Sequence, residues 1–384
     1  MDAWRPLLEQ MLARVSERQE VPPEIARAFS AIPRHLFLPG VAWERVYSGD
    51  AIPTRFLDGK PISSSSEVSL MIAMLRHLKL RPGLNVLEVG AGTGYNAAIL
   101  AELVGPNGRV TTIEIEPEIC AAAKAHLEAA GHPEVRVVLG DGGRPPASDG
   151  PYDRIIVTAG AYDIAPAWRE QLRPGGRLVV PLWFSGVQLA AAFVREGDRL
   201  RSTGLIPCGF MRLRGAFRGT EAYLDLSRGW SIAADDPAAG TIDLLSTLLT
   251  ETPREHPLEP PIQGWLFGLF LAVRDPRFVK LHRSSADGQP DADAIGLFDP
   301  SAPSLAVWVT ERRPTGWAVR LRSFGSPARV EALKRHWADW QALGAPDERH
   351  VELTAHPAPL ALAPPEVTVV RRRFHDYTIR WRPP

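Results

Sequence analysis

Val86-Leu87-Glu88-Val89-Gly90-Ala91-Gly92-Thr93-Gly94-Tyr95-Asn96 is the stretch whose reading decides the fold. Apolar, β-forming residues run into glycines at alternate positions, and Asn96-Ala97-Ala98-Ile99-Leu100 then begins a helix. A strand that stops at a glycine-rich turn and feeds a helix opens a nucleotide-binding βαβ unit. Glycine reaches dihedrals that other residues avoid and lets a ligand lie against the main chain. A dinucleotide fingerprint wants its third glycine at position 95, where this chain has Tyr95, so a dehydrogenase is disfavoured. The Glu88-x-Gly90-x-Gly92-x-Gly94 form instead suits S-adenosyl-L-methionine (SAM), whose amino-acid end carries an ammonium and no pyrophosphate.

Outward from this turn, Arg109-Val110-Thr111-Thr112-Ile113-Glu114 forms a second strand whose acid lies twenty residues after Gly94. Such folds place there the carboxylate that accepts both ribose hydroxyls. A helix over 117–130 leads to a third strand, 135–139, closing on Gly140-Asp141-Gly142. An acid flanked by glycines at a strand end suits the exocyclic amine of an adenine; its plain alternative is a turn former. Strands over 152–158 and 176–181 complete the alternation. The expected fold is α/β, a doubly wound parallel sheet with helices on both faces and ligands at the carboxyl ends of its strands. The expected cofactor residues are Glu88, Gly90, Gly92, Gly94, Tyr95, Asn96, Glu114, Ile115, Asp141 and Gly142.

Upstream, Trp4, Leu7, Leu8, Met11, Leu12 and Val15 recur at helical spacing, and a second helix begins after Pro22-Pro23. His35, within Ile32-Pro33-Arg34-His35-Leu36-Phe37-Leu38-Pro39, reads as a surface or satisfied histidine rather than a catalyst. A loop through Lys60-Pro61-Ile62-Ser63-Ser64-Ser65-Ser66-Glu67 leads to a helix with the apolar stripe Leu70, Met71, Met74, Leu75 and Leu78. Capping by a hydroxyl, with Glu67 favouring the helix start, explains one serine well and four poorly. Hydroxyls together with helix-start amides also make a carboxylate site. Ser63, Ser64, Ser65, Ser66 and Glu67 are therefore expected to face a substrate beside the methyl donor.

Forty-four basic and forty-four acidic residues balance, so no broad nucleic-acid or membrane surface is expected. Two cysteines, Cys120 and Cys208, cannot build a disulfide framework or a zinc cage, and no metal is expected. The chain opens with no charged-then-apolar leader and contains no run of about eighteen apolar residues, so a cytoplasmic location is expected. Nothing in the sequence sets an oligomeric state.

Together these stretches resemble the protein-L-isoaspartate O-methyltransferase family. Its lead-in is similar to Ala31–Pro39, and its Thr-Ile-Ser-Gln-Pro loop falls, counted back from Arg81-Pro82-Gly83, on Ser64-Ser65-Ser66-Glu67-Val68. The glycine loop, Gly140-Asp141-Gly142, Tyr152–Ala159 and Gln171–Val179 continue the likeness, which spans roughly residues 20–215. The resemblance implies SAM as methyl donor, S-adenosyl-L-homocysteine as product, a peptide or protein substrate, and Ser66 as the catalytic serine. In the family the methyl ester collapses to a succinimide, which hydrolyses partly to normal aspartate. A substrate carboxylate is already a nucleophile and a sulfonium a good leaving group, so alignment and exclusion of water suffice and no catalytic triad or metal is needed. Two departures stand out. Gln-Pro has become Glu67-Val68, with the carboxylate expected to point outward, and the chain runs on past the family's usual end.

Three regions are expected: a helical substrate-side region over 1–80, the SAM-binding domain over 81–215, and a C-terminal α+β extension over 216–384. In the extension, 265–273 reads as a buried helix, 294–298, 305–309 and 317–321 as antiparallel strands, 330–343 as an amphipathic helix, and 367–381 as a final strand, with a bend at His375-Asp376 as an alternative. Every expected SAM contact precedes Gly215, so a chain ending there is expected to keep SAM binding. Extensions of this kind also resemble homologues that methylate a normal aspartate in a ribosomally made, modified peptide, leaving aspartimide or isoaspartate. That is the runner-up to repair-type isoaspartyl methylation. A SAM-binding protein without transferase activity is the third reading.

Overall fold

The computed structural model describes residues 3–257, 265–285, 290–313 and 316–384. Helices α1 (Arg5–Ser16), α2 (Pro23–Ala31) and α3 (Trp43–Val46) open the chain, with Pro23 in the first turn of α2, where no intrahelical amide is missed. They bury Leu8, Met11, Val15, Ile25 and Phe29 on one stripe each. A two-stranded antiparallel hairpin follows, β1 (Ile52–Leu57) and β2 (Lys60–Ser65), and then α4 (Val68–Leu78).

The expected alternation then runs as read: β3 (Asn85–Val89), α5 (Tyr95–Val104), β4 (Arg109–Glu114), α6 (Pro117–Ala129), β5 (Arg136–Leu139), β6 (Tyr152–Val157), α7 (Pro166–Glu170) and β7 (Leu172–Phe184). All of β3 is buried, as a strand covered on both faces must be. Strands β5-β4-β3-β6-β7 pair in parallel, and β8 (Val187–Glu196) and β9 (Arg199–Pro207) add antiparallel to β7.

The extension supplies β10 (Glu221–Asp225), β11 (Trp230–Asp235), α8 (Ala239–Leu248), β12 (Arg254–His256), α9 (Leu266–Ala272), β13 (Phe278–Ser284), β14 (Pro290–Asp299), β15 (Ser304–Arg313), β16 (Gly316–Gly325), α10 (Val330–Ala342), β17 (Val351–Pro357), β18 (Thr368–Arg371) and β19 (His375–Trp381). Seven of these strands form a second, antiparallel sheet in the order β10-β11-β13-β14-β15-β16-β12. The other three return to the first sheet: β17 pairs with β9 at Leu200 and Arg201, and β19 and β18 follow, making ten strands. The boundary drawn at 215 therefore crosses a continuous sheet.

Each face of that sheet has its own core. On one side α1, α2, α4 and α5 cover Val86, Val110, Ile156, Val179 and Ala190. On the other, α7, α9 and α10 cover Leu87, Ile155, Leu178, Val180 and Leu189, and reach Trp308 and Leu321 of the second sheet. Edge-to-face contacts at centroid distances of 5.1–6.0 Å join Phe267, Phe270, Trp337, Trp340 and Trp381 there. None of the described helices is long and apolar enough to cross a membrane.

Two expectations need correcting. Ser63–Ser65 are not a loop that caps α4 but the end of β2, where the cross-strand ladder Ile52↔Ser65 and Pro53↔Ser64 holds them extended. The cap position is Glu67, without a side-chain cap, and the first helical amide, Val68 N–H, is taken by the Gly49 carbonyl at 2.8 Å. The segment 367–381 is a hairpin rather than one strand: Arg371 pairs with Asp376, and the chain reverses across 372–374.

Candidate functional site

A cavity of about 720 Å³ opens at the carboxyl ends of β3 and β4. Its floor is the glycine turn. Gly90, Gly92 and Gly94 have φ of +99°, +53° and +87°, which explains why a side chain is disfavoured at each. A Cβ on Gly92 would stand 3.6 Å from the Ser64 carbonyl and 3.8 Å from Ser63 Oγ. The serine strand thus lies directly against the turn, and Ser63, Ser64, Ser65, Ser66 and Glu67 all line the cavity.

A residue that the sequence reading passed over holds this strand in place. Arg34, fully buried, donates to the carbonyls of Val46 (3.0 Å), Asp50 (3.2 Å) and Ser66 (2.9 Å) and to Ser65 Oγ (3.1 Å). Burial lowers its pKa, a cost that these four hydrogen bonds offset. The available signal was a lone cation in the apolar run Ile32–Pro39. His35 sits apart from the cavity, bonded to Tyr47 Oη at 2.9 Å among Trp4, Trp43 and Tyr47, as the plain reading held. Glu67 lies at the exposed rim of the cavity, where its carboxylate accepts the Ser69 hydroxyl two residues along.

Two acids stand at the strand ends. Glu114 accepts the amides of Gly92 (3.2 Å), Ile115 (2.9 Å) and Glu116 (3.2 Å), and Arg214 approaches to 3.9 Å. Glu88 is wholly buried beneath the turn and accepts Asn96 Nδ2 (2.7 Å) and Thr112 Oγ1 (2.6 Å). Burial outweighs these donors and pushes its carboxyl up to about 7. Asn96, Ile115 and Gly142 line the same space.

Of two further expected cofactor residues, Tyr95 lines the cavity and Asp141 does not. The Tyr95 backbone opens α5, but its ring packs between Phe29 and Phe37 in the preface core, with the hydroxyl unpaired. Asp141 accepts Gly143 N–H (2.9 Å) and Ala216 N–H (2.7 Å), so its carboxylate fastens the 214–216 strap instead of lining the cavity.

The fourth wall, Ile206–Arg214, was also unforeseen. Gln188 on β8 donates to the Phe210 carbonyl at 3.2 Å and accepts its N–H, while Gly160 exchanges backbone bonds with Met211 (2.8 Å) and Leu213 (2.7 Å). Among the described residues no cluster of His, Cys, Asp and Glu could hold a metal ion. Nucleotide-sized space, a bare main-chain floor, an acid at the second strand and a hydroxyl-rich wall fit SAM beside a small polar acceptor.

Residues 8–215 match the model of the family described as Protein-L-isoaspartate(D-aspartate) O-methyltransferase. A protein-L-isoaspartate O-methyltransferase of Hyperthermus butylicus is 37% identical over 233 residues, covering 58% of this chain and 93% of that protein. One from Methanopyrus kandleri is 43% identical over 159 residues, covering 41% of this chain and 68% of that protein. A solved structure of a protein-L-isoaspartate O-methyltransferase shares the fold at a TM-score of 0.54 and 24% identity, over 90% of this chain and 95% of that one.

Proposed function

The chain belongs to the protein-L-isoaspartate O-methyltransferase family, and we propose that it uses the cavity at the glycine turn to methylate the carboxylate of isoaspartyl residues in peptides and proteins, with Ser66 beside the reacting group. The observation that carries this assignment is the seating of the serine strand on the turn, 3.6 Å from a virtual Cβ at Gly92. It brings the acceptor wall within reach of the place where the donor's amino-acid end would lie.

When bound, SAM supplies an electrophilic methyl group on a sulfonium and leaves as S-adenosyl-L-homocysteine. Gly90, Gly92 and Gly94 present main chain to it, and Glu114 accepts the ribose hydroxyls in this assignment. Glu88 and Asn96 form the polar wall under its amino-acid end. Ile115 and Gly142 would hold the adenine end, since Asp141 is engaged by the strap. The substrate carboxylate is ionised at neutral pH, so the chain needs no general base. Its task is alignment: Arg34 fixes the strand that carries Ser66, and the Ile206–Arg214 wall keeps water from the sulfonium. In this reading 81–215 is the SAM-binding unit, 1–80 supplies the acceptor wall, and 216–384 braces both through β17–β19.

The test is methyl incorporation from labelled SAM into paired peptides that differ only in aspartyl linkage. Methylation of the isoaspartyl member in preference to the normal one is expected. Activity on neither linear peptide, but on a cyclised precursor with normal aspartate, would overturn the repair reading.

A further inference from the structure

A second cavity, of about 700 Å³, lies beyond the first and shares Arg18, Gln19, Ala73, Ile206 and Pro207 with it. The two form one trough. On one side of the second stand α4 and the end of α1; on the other stand the extension's Trp265, Arg349 and Glu352. Its floor is β9 from Arg201 to Pro207. Here the sheet has an open edge: β8 pairs along one side of β9, but β17 covers only Leu200 and Arg201 on the other. From Thr203 to Pro207 no further strand is bonded to that side among the described residues, and Thr203 and Pro207 are exposed. An open edge with pockets beside it is the ordinary receptor for an extended peptide.

The charge is one-sided. Arg18, Arg76, Arg201, Arg349 and Arg382 line the trough against Glu348 and Glu352. Arg382 is taken by Glu352 at 2.7 Å and Arg201 by Glu196 at 2.7 Å. Arg349 pairs with Asp347 at 2.9 Å, but its side chain is 80% exposed, so that pair is weak and exchangeable; Arg76 reaches Glu20 only at 3.7 Å, and Arg18 has no side-chain partner among the described residues.

We propose that this trough docks the polypeptide flanking the isoaspartyl residue as an added strand on the free edge of β9, and that the C-terminal extension thereby selects acidic flanks. The inference rests on the activity proposed above and goes beyond it, because it gives the extension a recognition role. Arg201 lies six residues along β9 from Pro207, where the two cavities meet; at about 3.3 Å per residue, a flanking side chain about six positions from the isoaspartate comes level with it.

The experiment uses the full chain with three isoaspartyl peptides: a short one confined to the first cavity, and longer ones with either glutamates or lysines about six positions away. The acidic peptide should show the lowest KM. Arg349→Glu, on an exposed side chain, should raise that KM about five- to tenfold and leave kcat/KM for the short peptide unchanged. N-methylation of alternate flanking amides should also raise the KM of the acidic peptide, since it blocks edge pairing. Equal KM for acidic and basic flanks, or an Arg349→Glu effect as large on the short peptide, would overturn the proposal. If the short peptide is not methylated at all, the activity reading fails. The trough is then judged by fluorescence anisotropy of the labelled acidic peptide on SAM-loaded protein, where Arg349→Glu must weaken binding.

Discussion

Between residues 60 and 215 two of the buried acids, Glu88 and Glu114, stand at a cavity, whereas past 215 three others, Asp275, Asp299 and Glu311, are each closed off by arginines. Asp275 takes three hydrogen bonds from Arg277, two from its guanidinium at 2.8 and 2.6 Å and one from its backbone N–H at 3.0 Å, and one from His336 at 3.0 Å. Against the burial that raises it, these partners bring its carboxyl down to about 2. Glu311 accepts from Arg313 and Arg322, and Asp299 from Arg329. Glu88 has only neutral donors and is pushed up instead. The contrast separates two uses of buried charge. An acid surrounded by arginines fixes a fold, and one left with neutral partners at a cavity is a candidate to meet a ligand.

The sharpest way to break the comparison is to cut it. The sequence alone leads one to expect SAM binding from a chain ending at Gly215. The structure reverses that expectation, because the cut removes β17–β19 from the sheet and uncovers the face packed by Phe267, Phe270, Trp337, Trp340 and Trp381. Those aromatics leave with the cut, and Leu178, Val180, Leu189 and Phe193 beneath them lose their cover; at roughly 1.5–3 kcal/mol for each buried side chain, the loss is comparable to the whole stability of an ordinary domain. The truncated chain should be insoluble or unfolded by circular dichroism. A folded product that binds SAM would show that the regions are independent.

The next effect concerns Glu88. A carboxyl raised from 4.5 to about 7 on folding favours the protonated native state. Its stabilisation is complete below the ordinary value and is lost as pH rises through about 7, a swing on the order of 3 kcal/mol. Urea unfolding of Glu88→Gln should show less loss between pH 5 and 8 than the parent. Parallel pH profiles would mean that Glu88 is already ionised in the fold.

Glu114→Ala should weaken SAM binding by roughly 1.5–3 kcal/mol, the range for a hydrogen bond to a charged group. Unchanged affinity in calorimetric titration of the folded variant would remove Glu114 from the cofactor site. Smallest is Ser66→Ala, expected to lower kcat by about 1 kcal/mol in barrier while SAM affinity stays constant. A fall in SAM affinity with kcat preserved would reassign the serine to the cofactor side.

The sequence by itself determined the parallel sheet and its order of elements, the turn at Gly90–Gly94 and the acids at the strand ends. These are local: alternating apolar strands, glycines at positive φ and an acid at a fixed spacing are each written within a few residues of chain. It also marked the four serines as more than a cap. Only the tertiary structure decided what those groups face. That β2 pairs with β1 and lies on Gly92, that Arg34 clamps it from thirty-one residues away, and that Gln188 holds the far wall are long-range contacts without sequence periodicity. The same holds for Tyr95 and Asp141, whose side chains are claimed by the preface core and the 214–216 strap. The return of β17–β19 to the first sheet follows from an edge of β9 left open by the local fold. An unpaired edge can be met by any suitable strand in the chain, and local propensity does not say which.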